Sequence, residues 1–178
     1  MNYATIKPID IANGPGVRVS LFVSGCTHHC KGCFNKIAWD FDYGEPFRNN
    51  TIDYILSLMR PEYIKGITIL GGEPFEPENQ GAVVQLLRAI KNDPDLCNKS
   101  IWAYSGYTYE RIKAHFSEDE VDPKITDEFL SYLDVLVDGP FIEEKKNLML
   151  KFRGSENQRL IDMKKTLFYD KVILWTGE

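Results

Sequence analysis

The sequence predicts an α/β fold with a mostly parallel sheet. Short apolar runs alternate four times with segments of helical spacing, as βαβ crossovers require. Each of those runs ends in a polar or glycine-rich loop: Ser24-Gly25-Cys26, Gly71-Gly72-Glu73, Ser105-Gly106 and Asp138-Gly139. In α/β sheets the C-terminal ends of the strands form the ligand rim, so these four loops are expected to converge on one site. A third observation marks that site. Three of the four cysteines lie in Cys26-Thr27-His28-His29-Cys30-Lys31-Gly32-Cys33, at the end of the first of those runs.

Taken in order, residues 1–16 are punctuated by Pro8 and Asn13-Gly14-Pro15-Gly16 and read as an entry loop with a tight turn. From residue 18 to 24 the chain alternates. Val19, Leu21 and Val23 share one face, and Arg18, Ser20 and Phe22 the other, which makes this the first strand. Residues 36–50, with aromatics, Gly44 and Pro46, read as an excursion. Asn50 or Thr51 then caps a helix that carries Ile52, Ile55, Leu56 and Met59 and is followed by Pro61. Residues 66–70 form the second strand, and Val83, Leu86, Leu87 and Ile90 mark the next helix at i, i+3, i+4, i+7 spacing. Residues 100–104 are the third strand. Tyr109, Ile112 and Phe116 predict a short helix, Ile125, Phe129 and Leu133 another, and residues 135–137 the fourth strand.

The tail is less regular. Residues 148–153 read as an extended segment, 153–159 as a polar loop and 171–175 as a late strand or docking segment. No repeat, low-complexity tract or linker interrupts the chain. One domain over residues 1–178 follows, with a core of about 17–141 and an extension of about 142–178.

With 178 residues, 43% hydrophobic and 26% charged, the chain can bury a full core. Its formal net charge of -5 argues against a nucleic-acid partner, whose phosphates are met by Lys and Arg. No apolar run approaches membrane-spanning length, and residues 1–5 have no signal-peptide core. The expectation is a cytoplasmic protein with reduced thiols available for metal.

Packed thiolates repel one another unless a soft cation neutralises them, so the C-x3-C-x2-C spacing asks for a metal centre. Three thiolates on a four-iron cluster leave one iron open, and an open metal position is where chemistry happens. Other readings stand beside this one. His28 or His29 completes a Cys3His zinc knuckle, although structural zinc usually takes two separated pairs. A disulfide would join cysteines too close to staple a fold. An ordinary iron–sulfur electron carrier usually has four cysteines, and Cys97 reads instead as a small buried or half-buried thiol.

Cys26, Cys30 and Cys33 followed by Phe34 resemble the motif of the radical S-adenosylmethionine enzymes. Asn13-Gly14-Pro15-Gly16-Val17-Arg18, leading into Phe22-Val23-Ser24-Gly25-Cys26, is similar to the glycyl-radical-enzyme activases. Residues 135–141 and Arg153-Gly154-Ser155-x-Asn157-Gln158-Arg159 resemble those activases that act on anaerobic ribonucleoside-triphosphate reductase. The resemblance covers about residues 1–160.

It implies a partial (β/α) barrel with a 4Fe–4S cluster on Cys26, Cys30 and Cys33, whose fourth iron is chelated by S-adenosylmethionine. One electron passes to the sulfonium, and the resulting 5′-deoxyadenosyl radical takes a hydrogen atom from a glycine of the reductase. Reduced flavodoxin or a similar donor is the implied electron source. No acid–base side chain is implied, because the cofactor carries the chemistry.

The implied cofactor contacts are Gly32, Cys33, Phe34, Gly71, Gly72, Glu73, Ser105 and Asp138. Gly32 suits a loop folded tightly over a cluster, and Phe34 offers a face for adenine or simply joins the core. Gly71 and Gly72 let backbone approach the methionine end of the ligand. Glu73 either accepts from the ligand's ammonium or holds its own loop through backbone amides. Ser105 and Asp138 read as ribose, carboxylate or cation contacts, or as ordinary loop-start residues. Pro140 stands where activases of other glycyl radical enzymes carry a lysine. His28 and His29 read as exposed loop residues that do not ligate.

Two other substrates remain open with the same chemistry: another glycyl radical enzyme, of the pyruvate formate-lyase type, or a small heterocycle, as in the queuosine-pathway synthases. A non-catalytic iron–sulfur carrier would have no need of the Gly71-Gly72-Glu73 loop.

Overall fold

A computed structural model describes residues 1–114 and 121–177. Its strands are β1 (Asn2–Asp10), β2 (Val17–Val23), β3 (Glu45–Pro46), β4 (Ile64–Gly71), β5 (Ser100–Tyr104), β6 (Val135–Asp138) and β7 (Arg159–Asp162). They form one seven-stranded sheet in the order β3-β1-β2-β4-β5-β6-β7. The central strands β2, β4, β5 and β6 are parallel, and β1, β3 and β7 pair antiparallel. The sheet is open, with β3 and β7 at its margins, and does not close into a barrel.

Helices α1 (Asn49–Met59), α2 (Pro77–Asn92), α3 (Tyr109–Lys113) and α4 (Pro123–Tyr132) make the crossovers between the parallel strands. Thr51 acts from inside α1, its hydroxyl accepting the Arg48 N–H at 3.2 Å. Helix α2 starts with Pro77 at its first position, and α4 starts with Pro123 behind an Asp122 side-chain cap. Val83, Leu86, Leu87 and Ile90 of α2 have no exposed surface, each contributing about 1.5–3 kcal/mol of apolar burial.

The helices gather on one face of the sheet. Val19, Leu21, Val23, Ile67, Ile69, Ile101, Ala103 and Leu136 meet residues of every helix there in one continuous core. The residues of opposite parity point to the helix-free face. Trp102, Val135 and Val137 pack there with Tyr104, Phe152, Leu160 and Trp175. Arg18 is also buried on that side. Its guanidinium donates to Thr68 Oγ1, Ser100 Oγ and the Ile67 and Ser100 carbonyls, and it lies over the Trp102 ring. Burial pulls its pKa down to about 10. The polar half of the β2 alternation thus faces a second interior layer.

Residues 1–16 are not only an entry loop, because Asn2–Asp10 form a strand along β2. Little in this stretch is buried, and Pro8 sits where the register slips between Lys7 and Asp10. Main-chain pairing with a buried neighbour makes the strand, not an apolar face. Residues 148–153 are turns rather than an extended segment, and an unexpected helix, α5 (Met163–Tyr169), follows β7. Phe116 lies outside the described residues.

Residues 171–175 dock as expected. Leu174 bridges Ile161, the Asp162 N–H donates to the Ile173 carbonyl, the Trp175 N–H donates to the Leu160 carbonyl, and the Trp175 ring stands edge-on to Trp102. Among the described residues no helix is long and apolar enough to cross a membrane.

Candidate functional site

The four strand-end loops meet on one cavity of about 480 Å³. Cys26, Gly71, Gly72, Glu73, Ser105, Gly106 and Gly139 all line it. Cys30, Gly32, Cys33 and Phe34 line the same space from the cysteine loop. Asp138 itself stands behind the wall that Gly139 forms.

Main chain fixes the start of the cysteine loop. The Gly25 N–H donates to the Ala38 carbonyl and the Cys26 N–H to the Trp39 carbonyl, so the excursion after the loop folds back under it. Cys26 is buried, Cys30 and Cys33 are half-buried, and all three are free. Burial pushes the Cys26 thiol up to about 12, and burial also raises Cys30. Backbone N–H groups work the other way. Those of His28 and Phe141 reach the sulfurs of Cys26 and Cys30 and favour their charged forms, and the Asn35 N–H donates to the Cys33 sulfur at 3.4 Å.

No group of three His, Cys, Asp or Glu side chains among the described residues is drawn together around a single ion. Each thiolate of an iron–sulfur cluster binds a different iron, so three soft donors spread along one cavity wall, with N–H groups aimed at their sulfurs, fit a cluster. Neither histidine joins the thiols: Nε2 of His28 bonds Glu73, and the exposed His29 ring lies 4.6 Å from Trp39. His28 is not the exposed residue expected, because its side chain keeps only 16% of its surface. Burial works against a charged His28 ring, but the Glu73 bond and the charges of Glu73 and Glu76 together outweigh it and raise its pKa.

Glu73 has no exposed surface. Its Oε1 accepts the Phe75 N–H and the Ser105 hydroxyl, both at 2.9 Å, and its Oε2 accepts the Gly106 N–H at 2.7 Å and His28 at 2.9 Å. The Asn79 amide adds a second brace, donating to the Ser24 and Glu73 carbonyls. Gly72 is in tight contact with the cysteine loop, since a Cβ there would meet the Gly25 carbonyl oxygen at 2.4 Å.

Ser105 also accepts the Tyr107 N–H. Asp138 is buried and takes the Tyr109 N–H and the Arg159 guanidinium. Phe34 is 87% exposed, so it is not part of the core, and its ring stands free at the cavity edge.

One wall is built from the chain that runs on from the β6 loop. Phe141, Lys146, Leu148, Leu150, Phe152 and Arg153 complete the cavity lining there. Lys31 ties this segment to the cysteine loop through Glu143 at 3.3 Å and Glu144 at 3.2 Å, and the Tyr104 hydroxyl donates to the Phe152 carbonyl. Gln158 pins the segment to β6, its amide donating to the Gly139 carbonyl. Nothing periodic marks these residues in the sequence. Phe141 and Arg153 fall in the two stretches that carry the resemblance; for Lys146, Leu148, Leu150 and Phe152 the signal is the opposite charges of Lys31 and Glu143-Glu144, and residue pairing at that separation is invisible without the fold.

A model of the 4Fe–4S single cluster domain matches residues 12–161. The chain is 42% identical over 161 residues to the anaerobic ribonucleoside-triphosphate reductase-activating protein of Vibrio cholerae serotype O1, covering 89% of this chain and 96% of that one. To the proteins of the same name it is 40% identical in Enterobacteria phage T4 (90% and 93% covered) and 38% identical in Escherichia coli K12 (89% and 96%). The chain therefore belongs to the family of the anaerobic ribonucleoside-triphosphate reductase-activating proteins, with the 4Fe–4S single cluster domain spanning most of its length.

Proposed function

We propose that this protein activates anaerobic ribonucleoside-triphosphate reductase, cleaving S-adenosylmethionine reductively at a 4Fe–4S cluster and leaving a glycyl radical on the reductase. The carrying observation is one cavity lined by three free cysteines and by the Gly71-Gly72-Glu73 loop, in a chain related over most of its length to proteins named as activators of that reductase. When bound, the cluster supplies the electron that breaks the carbon–sulfur bond of the sulfonium.

The chain's own residues bind and orient. Cys26, Cys30 and Cys33 would hold the cluster, and backbone N–H groups reach all three sulfurs. Gly71 and Gly72, having no side chains, leave room for the ligand's polar end, with Gly32 and the exposed ring of Phe34 at the cluster side. Glu73, Ser105 and Asp138 serve this site by fixing its loops, since their oxygens are engaged by protein donors. The open sheet, helix-covered on one face only, fits a partial (β/α) barrel whose unclosed side admits a large protein substrate. A reduced flavodoxin-like protein is the donor this chemistry calls for, and free thiols suit a cytoplasmic setting.

A bare electron carrier needs no 480 Å³ cavity beyond its cysteines. The test is anaerobic reconstitution with iron and sulfide, followed by dithionite and S-adenosylmethionine. Release of 5′-deoxyadenosine supports the chemistry, and a glycyl radical signal on added reductase supports the substrate. A reconstituted, reduced sample that releases no 5′-deoxyadenosine would sink the proposal.

A further inference from the structure

We propose that His28 is a positioning residue: it clasps the cysteine loop to the loops that follow β4 and β5, and so sets where the cluster stands relative to the ligand beside it. The inference rests on the reading that this cavity takes a cluster and S-adenosylmethionine.

Three contacts carry it, and each joins His28 to a different residue outside its own loop. Its Nε2–H donates to Glu73 Oε2 at 2.9 Å. Its ring lies 4.2 Å from the Tyr107 ring. It also rests on Gly106, where a Cβ would stand 2.5 Å from His28 Cδ2. Glu73 is the hub, since the same carboxylate takes the Ser105 hydroxyl and the Gly106 N–H. One buried anion therefore gathers the ends of β2, β4 and β5, and His28 is the contribution from β2.

The adjacent His29 makes no such link. Its ring meets Trp39 of the following excursion. Thr27 gives the cysteine loop a second tie, its N–H and hydroxyl both donating to Glu76 Oε1. Loss of His28 therefore loosens the loop without freeing it. Displacement of reacting groups by about 1 Å can cost on the order of a hundredfold in rate, so a loosened clasp matters even with every thiol in place.

The test compares the full chain with His28→Ala, His28→Gln, Gly106→Ala and the His28→Ala/Gly106→Ala pair, each reconstituted anaerobically. All are expected to carry parental iron. His28→Ala should bind S-adenosylmethionine about tenfold more weakly, the scale of one lost hydrogen bond to a charged group. It should also alter the change that S-adenosylmethionine produces in the electron paramagnetic resonance of the reduced cluster. His28→Gln keeps an N–H donor of similar reach and should restore both.

Gly106→Ala should copy the His28→Ala defect by pushing the ring away, and should add nothing once the ring is gone. Parental affinity and spectrum in His28→Ala would overturn the proposal, as would full additivity in the pair. Loss of iron in His28→Ala would overturn it too, pointing to a ligand instead. If the parent itself shows no response to S-adenosylmethionine, the functional reading fails. Amide exchange in the metal-free chain then decides the clasp: faster exchange at residues 27–33 in His28→Ala supports it, and unchanged exchange overturns it.

Discussion

Arg159 stands directly across the β6–β7 ladder from Asp138 and grips its carboxylate with two N–H groups. Asp138 is buried, so this guanidinium is what makes its charge tolerable there. The same guanidinium reaches out to Glu110 of α3 at 3.0 and 2.7 Å. Arg159→Ala should destabilise the fold by about 3 kcal/mol, because it strands a buried carboxylate. Arg159→Lys should recover only part of that, since an ammonium lacks the fork. Urea unfolding measures both, and equal stability of parent and alanine variant would refute the role given to the pair.

Glu110 predicts a pH effect. Its bonds to Arg159 hold its pKa below the ordinary 4.5. A carboxyl depressed in the folded state contributes stability that is complete above its unfolded value and is lost as pH falls through its folded value. Thermal stability should therefore fall below pH 4.5, and Glu110→Gln should flatten that fall. Asp10 and Asp162 are also held low and contribute to the same limb, so the variant is read as a difference from the parent.

The four cysteines should separate cleanly. Serine at Cys26, Cys30 or Cys33 should abolish cluster assembly, while Cys97→Ser should leave iron and sulfide content unchanged. Cys97 sits after α2, its thiol donating to the Pro94 carbonyl, and it does not line the cavity. A His28→Ala/His29→Ala chain should also keep its iron, as measured after anaerobic reconstitution.

Gly66 makes the sharpest packing prediction. A Cβ there would lie 1.9 Å from the Ser100 carbonyl oxygen, at the first pair of the β4–β5 ladder and beside the buried Arg18 guanidinium. Backbone cannot move aside as a flexible side chain can, so Gly66→Ala should cost about 3 kcal/mol in chemical denaturation.

The parallel centre of the fold was legible because its strands are short apolar or alternating runs and α1, α2 and α4 carry apolar residues at helical spacing. Residues 100–104 and the α2 stripe show this well. Strand β1 was not, since no apolar face marks it and Pro8 speaks against it. Helix α5 was not either, for its pattern misleads: Phe168 and Tyr169 are exposed, and only Met163 and Thr166 are buried. In the site, three thiols crowded into eight residues announce themselves at any level of description. The His28–Glu73 bond joins residues 45 apart, and the fold alone decides which of two neighbouring histidines turns inward. The cavity wall from Phe141 to Arg153 is irregular chain, which no periodicity can reveal.

Both margins of the sheet offer little to a stranger's backbone. At one side β3 covers only Asn2 and Tyr3, and the rest of β1 is broken by two register slips and by Pro8, which has no N–H to lend; at the other, residues 173–175 already occupy the outer rim of β7. An open sheet with margins of this kind resists adding copies of itself strand by strand. Cutting away the last turns of chain beyond α5 would expose that rim, and the first sign would be fibre growth rather than unfolding.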